Sequence, residues 1–307
     1  MASELVDVLR HLLADAPHIS SMSSVDAWWK RHEKVGARFA TNVARAFAGG
    51  FAADRLGYAF ASGYQEALGA LVPPLMGVRS AFCITEKGGT APSAIETHFE
   101  LKGDAYEVSG HKTHVTLGAH AEELLIVGHI GLDDHERRRI RVARVPASRE
   151  GVELTARPDY PFAPEIPHAQ LSLTRVRVSL DEVLEGDGYD EYVKPFRTTE
   201  DLHVTAAIVG HLMRMGRLSG WGPAELEALT AFAAAIFPLS LVDPLDAAVH
   251  VAVGGIQRRL AALIESLPWS AVEPTVRTRF QRDLPIMRVA NEAGERRLRV
   301  AWRRLNG

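Results

Sequence analysis

Reactive side chains fall at short spacing in a few places along the 307 residues. In PFAPEIPHA (161–169), Glu165 and His168 stand three apart, the makings of an acid–base pair. Three prolines stiffen the same stretch, and its plainer reading is a rigid connection between strands. His129 and His135 flank Asp133-Asp134, side chains that ligate metals, yet a hairpin tip seldom converges its groups as an ion requires; no metal site is assigned. The segment Arg277–Gly307 carries nine arginines against three acids, enough excess charge to attract phosphate groups of CoA or a flavin, or a partner subunit. Its plainer reading is the solvated face of a last helix, and without interleaved aromatics it gives no nucleic-acid platform.

Several chemistries lack their motifs. GxGxxG, a Walker loop, GxSxG and HExxH are absent. A single cysteine, Cys83, excludes multi-cysteine zinc sites and any disulfide within the chain. The net charge of −3 gives no general attraction to nucleic acid or membrane. Charges interrupt the N-terminal apolar residues, which excludes a signal peptide there. The longest apolar stretch, Leu229 to Val242, is broken by Thr230, Pro238 and Ser240 and is too short for a bilayer. The expectation is a soluble, cytoplasmic protein with no membrane or nucleic-acid partner.

Three zones of periodicity must position whatever chemistry there is. In residues 1–79, apolar residues recur at helical spacing: Leu5, Val8, Leu9, Leu12 and Leu13, then Trp28 to Phe47 after Ser23, then Leu56 to Leu71. Ser23 with Asp26 reads as a helix start, and Gly49-Gly50 as a stop. Residues 80–187 read as short strands: a hairpin in HFELKGDAYEVSG turning at Lys102-Gly103-Asp104, then 124–130, 139–145 and 171–180. No helix intervenes, which favours an antiparallel sheet or barrel over βαβ units. Residues 188–307 read as helices over about 197–219, 223–236, 241–267 and 270–304, with Pro285 as a kink in the last. The fold class expected is α+β multidomain: N-terminal helices, a middle antiparallel β-barrel or sheet domain, and a C-terminal helical bundle.

The stretch 82–128, FCITEKGGTAPSAIETHFELKGDAYEVSGHKTHVTLGAHAEELLIVG, resembles the acyl-CoA dehydrogenase signature. In that family a strand ending in T-E-P-G-x-G-S is followed by a hairpin, then G-x-K-x-W-I-T-N-G, then a strand. The resemblance implies the same helix–sheet–helix architecture and an FAD site. Phe82, Ile84 and Thr85 would face the flavin ring. With a one-residue gap, Gly89 and Thr90 match the family's Gly-Ser pair, and Thr116 matches the threonine of the second motif. The family's tryptophan beside the flavin falls on His114, a smaller planar ring that can carry charge. The dinucleotide-gripping segments R-x-x-F-G…Q and Q-x-x-G-G-x-G are not recognisable.

The implied reaction removes an α-proton from an acyl thioester while a hydride leaves the β-carbon, and it needs a carboxylate base. Aligned on Arg282-Asp283, the common position of that base is Asn291, a neutral amide; Glu292 is adjacent. In the isovaleryl and long-chain types the base lies on an earlier helix within L-E-R-L, and there Glu200 of TEDLHVTAAIVG falls on it, with Asp201 replacing the arginine. His203, three residues on, can pair with Glu200, and Asp201 and His203 are also candidates for substrate contact. The plainer reading of Glu200 is an acid near a helix start capped by Thr198 or Thr199. Glu200, Glu292 or no base at all stay open. The resemblance implies an acyl-CoA or acyl-carrier thioester as substrate, an unspecified electron acceptor, and a homodimer or homotetramer. A non-redox relative that binds an acyl-CoA-like ligand, or serves as a partner subunit, is the alternative.

Overall fold

The structure, a computed structural model, describes residues 2–157, 160–288 and 291–307, and their side chains apart from those of Ala2 and 288–293. The chain begins with four helices: α1 (Ala2–Ala14), α2 (Val25–Gly36), α3 (Asn42–Ala52) and α4 (Leu56–Leu71). The helix expected from Ser23 to Gly50 is two. Ser24, not Ser23, caps the first through Ala27 N–H, and Thr41 opens the second by accepting from Ala44 N–H. Gly49-Gly50 does not stop α3; both glycines lie inside it. A Cβ on Gly50 would sit 1.9 Å from the Ala207 carbonyl oxygen. The residue is there so that two helix backbones can touch.

Among the described residues, seven strands follow: β1 (Ser80–Cys83), β2 (His98–Lys102), β3 (Ala105–Thr116), β4 (Glu123–Leu132), β5 (Arg138–Pro146), β6 (Val152–Ala156) and β7 (His168–Ser179). They form one sheet in the order β1-β4-β2-β3-β7-β6, with β5 also on β4. The β2–β3, β3–β7, β4–β5 and β6–β7 pairs are antiparallel, as expected, but β1–β4 and β2–β4 are parallel. The antiparallel expectation is therefore corrected to a mixed sheet. The long excursion from Thr85 to Thr97 and the 3₁₀ turn Gly118–His120 let the chain return in the same direction without a crossover helix. Ala81, Val108, Val115, Leu124, Ile126, Val145, Leu171 and Val176 fill one buried cluster of this sheet.

Among the described residues, five further helices follow: α5 (Lys194–Ser219), α6 (Pro223–Leu239), α7 (Ala247–Ser266), α8 (Pro274–Asp283) and α9 (Asn291–Asn306). The single helix expected over 270–304 is divided between α8 and α9, and Pro285 lies in a 3₁₀ segment, Leu284–Arg288, rather than at a kink. Among the described residues, α7 is long and apolar enough, by length and composition, to cross a membrane. Val249, Val253, Leu260 and Ile264 form its buried stripe.

By contact density the chain forms two compact units. The helical unit holds Met1–Ala70, Tyr160–Glu165 and Arg197–Gly307; the sheet unit holds Leu71–Asp159 and Ile166–Phe196.

Candidate functional site

In the sheet unit the two motif segments meet. Thr85 and His114 form an isolated antiparallel bridge, and Thr113 N–H donates to Thr85 O at 2.8 Å. Behind the bridge, Lys112 is 1% exposed and its ammonium lies 2.6 Å from the Glu86 carboxylate. Lys112 also donates to the Val127 carbonyl at 2.5 Å. Glu86 further accepts from Glu96 N–H (2.7 Å), Thr97 N–H (3.1 Å) and the Thr97 hydroxyl (2.7 Å). Burial alone would push the Glu86 carboxyl up, but Lys112 and these donors outweigh it and hold it below the ordinary range. Burial pulls Lys112 down from the usual ammonium range, against the attraction of Glu86. The glutamate of TEK and the lysine of GHK thus pin one loop to the other.

The turn after Glu86 is closed by reciprocal bonds, Glu86 N–H to Gly89 O and Gly89 N–H to Glu86 O at 3.0 and 2.9 Å. Gly89 has φ +108, a conformation that favours glycine. Thr90 follows, half-buried. Phe82 and Ile84 are buried, and the Phe82 ring meets Phe196 edge-on at 5.0 Å. Thr85 and Thr116 are half-buried, and no described residue hydrogen-bonds their hydroxyls.

His114 has a ring neighbour that the sequence did not reveal. Thr116 pairs with His168 in the β3–β7 register, and the His114 and His168 rings pack edge-on with centroids 4.4 Å apart. Burial lowers His168 to about 4, assisted by His114 and Arg157. Burial and Arg157 also lower His114. His168 Nδ1–H donates to the Ile166 carbonyl at 2.9 Å. Leu117, at φ +58, turns the chain out of β3, and its N–H bonds Pro167 O.

In the helical unit, Glu200 and Asp201 lie in the second turn of α5. The helix begins at Lys194, so Thr198 and Thr199 are not its cap. Glu200 is half-buried. That burial, with Asp201 beside it, raises Glu200 to about 7 against the pull of Arg197 and Arg297. Asp201 is engaged differently. It is ion-paired to Arg297 of α9, and although Arg297 opposes it, burial still raises the Asp201 carboxyl above the ordinary range. No described residue hydrogen-bonds the Glu200 carboxylate. His203 is buried and directs Nδ1 to the Thr199 carbonyl at 2.7 Å, so the expected pairing with Glu200 is not made through that nitrogen. The side chains of Asn291 and Glu292 lie outside the described residues.

Glu165 and His168 have separate partners. Glu165 sits against Gly57, where a Cβ would come within 2.2 Å of its Oε1, and Arg282 is 3.7 Å from its other oxygen. At the 133–137 turn, Asp133 accepts from His135 N–H and from Arg137 N–H and Nε, which gives that acid a local structural task. Cys83 is buried and its thiol is pushed up to about 12, far from a reactive thiolate.

No protein-family model and no curated protein sequence matches the chain. Solved structures do. Butyryl-CoA dehydrogenase from Megasphaera elsdenii superposes with a TM-score of 0.73 at 15% identity, covering 100% of this chain and 99% of that one. PigA with FAD and proline gives 0.73 at 10% identity, covering 99% and 97%. The prolyl acyl carrier protein oxidase AnaB gives 0.63 at 16% identity, covering 98% and 92%. From its first helix to its last, the chain has the acyl-CoA dehydrogenase fold.

Proposed function

We propose that this protein is a flavin-dependent oxidoreductase that desaturates an acyl thioester between the α- and β-carbons, with Glu200 as the base. The observation that carries the reading is the division of labour on α5: Asp201 is held by Arg297, while Glu200, raised to about 7, keeps its carboxylate unengaged by described residues. A base poised near neutral pH suits the weakly acidic α-proton of a thioester. The fold neighbours, among them an FAD-bound PigA and a butyryl-CoA dehydrogenase, support the same direction.

The sheet unit's residues fit the ring of FAD. Two half-buried hydroxyls, Thr85 and Thr116, offer donors and acceptors for its polar edge. Two imidazoles, His114 and His168, whose proton affinity burial lowers, offer planar surface. Phe82, Ile84, Gly89 and Thr90 complete the set assigned from the motif. When bound, the flavin supplies the electron sink for the hydride. The protein's own part is to fix the two loops through Glu86–Lys112 and to take the α-proton onto a Glu200 carboxylate oxygen. The substrate is an acyl-CoA or acyl-carrier thioester, and the working form a homodimer or homotetramer.

The second reading, a non-redox relative that binds an acyl-CoA-like ligand or serves as a partner subunit, draws on one observation. The position matching the family's tryptophan holds His114, whose ring is already packed against His168. Anaerobic bleaching separates the two. The flavin-loaded protein should lose its visible absorbance with at least one of a panel of acyl thioesters, and Glu200→Gln should slow that loss about 100-fold or more with flavin content unchanged. Bleaching by the variant at the parent rate would remove Glu200 from the mechanism; a protein that takes up no flavin would favour the second reading.

A further inference from the structure

Asp201 stands where the resemblance expects an arginine, directly after the base. The structure returns an arginine to that place from a distant part of the chain. Arg297 of α9, 21% exposed, reaches the Asp201 carboxylate of α5, itself 12% exposed. Two helices therefore meet at one carboxylate, and Glu200 sits next to it in sequence.

We propose that Arg297 is a positioning residue for the Glu200 base: by engaging Asp201 from α9, it fixes that carboxylate as a standing negative charge and leaves Glu200 as the member of the pair that gains and loses a proton. The inference rests on the base assignment above. Its geometry is one-sided. Asp201 is ion-paired to Arg297, whereas no described residue is ion-paired or hydrogen-bonded to the Glu200 carboxylate. Two adjacent buried carboxylates without such a clamp would share a proton between them and titrate as a unit. Among the described residues, the charged groups facing the pair are Arg197 from α5 and Arg297 from α9. Burial raises both carboxyls, but at Asp201 the first opposing influence is Arg297, whereas at Glu200 Asp201 adds to the rise.

Two substitutions should move the Glu200 titration in opposite directions. Asp201→Asn removes the standing charge, so the Glu200 midpoint should fall by about one pH unit. Arg297→Met frees Asp201 and removes a cation, so Glu200 and Asp201 should titrate in two coupled steps, the later one above the parent midpoint. Arg297→Lys, which keeps the charge, should restore most of the single step. The readout is the carboxyl carbon resonance of Glu200 in the full-length protein, assigned with Glu200→Gln and followed across pH; thermal unfolding identifies any variant that has lost its fold. Opposite shifts with lysine rescue support the proposal. Unmoved midpoints, or shifts of the same sign in both variants, overturn it. The titration needs neither flavin nor substrate, so it decides this point even if acyl-thioester bleaching fails. Where bleaching is observed, the acidic limb of its pH profile should follow the same two directions.

Discussion

Lys112 and Glu86, 26 residues apart in sequence, meet at 2.6 Å with almost no exposure to solvent, and through them the first motif loop is fastened to the second. A buried ion pair is costly to form and more costly to break from one side. Lys112→Met leaves the Glu86 charge without its cation and should destabilise the protein by about 3–5 kcal/mol. Urea unfolding measures this. A loss below about 1 kcal/mol would mean that the pair does not fix these loops.

Gly50 and Gly255 should respond to alanine with opposite signs. At Gly50 the new Cβ would lie 1.9 Å from the Ala207 oxygen, and backbone has to move; a cost of about 2–3 kcal/mol is expected. At Gly255, inside α7, a Cβ meets nothing within 4 Å. Alanine there should stabilise by about 0.5–1 kcal/mol through helix propensity. Thermal melts of both variants test the pair, and equal effects would contradict the close approach of α3 to Ala207.

The Glu200 carboxyl makes stability depend on pH. Its proton affinity is higher in the folded chain, at about 7, than in an unfolded one. It therefore supports the fold at low pH, and that support drains away as pH rises from the ordinary carboxylate range through about 7. Glu200→Gln should be more stable than the parent at about pH 8, by up to about 3 kcal/mol, with the advantage shrinking toward about pH 5. Urea midpoints at the two pH values check this. An advantage independent of pH would place the carboxyl in solvent.

The local features of this fold were legible, and the long-range ones were not. Short runs between glycines and prolines located β2, β3, β4, β5 and β7, whether one face is buried, as in β7, or both, as in β4. They missed β1, four residues buried throughout, and β6, a short edge strand with most of its residues at least partly exposed. Helical spacing ran on through the break between α2 and α3, since Phe39 lies where the next turn would have placed it and packs with Val35 and Ala48. Gly49-Gly50 read as punctuation when its task is close packing, a distinction that depends on a neighbour more than 150 residues away. In the site, the bridge between Thr85 and His114 joins the two motif segments. Lys112 carried an overlooked signal: a charge in the buried register of a strand calls for a buried partner. Arg297 carried none, because nothing local ties one arginine of a basic tail to Asp201, 96 residues earlier.

The central claim, that the Thr85 and His114 loops form a flavin site, is tested most directly by titrating the flavin-free protein with FAD and following the visible spectrum. Near-stoichiometric uptake by the parent, weakened about tenfold or more in a Thr85→Val, Thr116→Val double variant that retains its melting temperature, is the result predicted from two lost hydrogen bonds. A parent protein that leaves the FAD spectrum unchanged, or a double variant that binds as tightly as the parent, would contradict it.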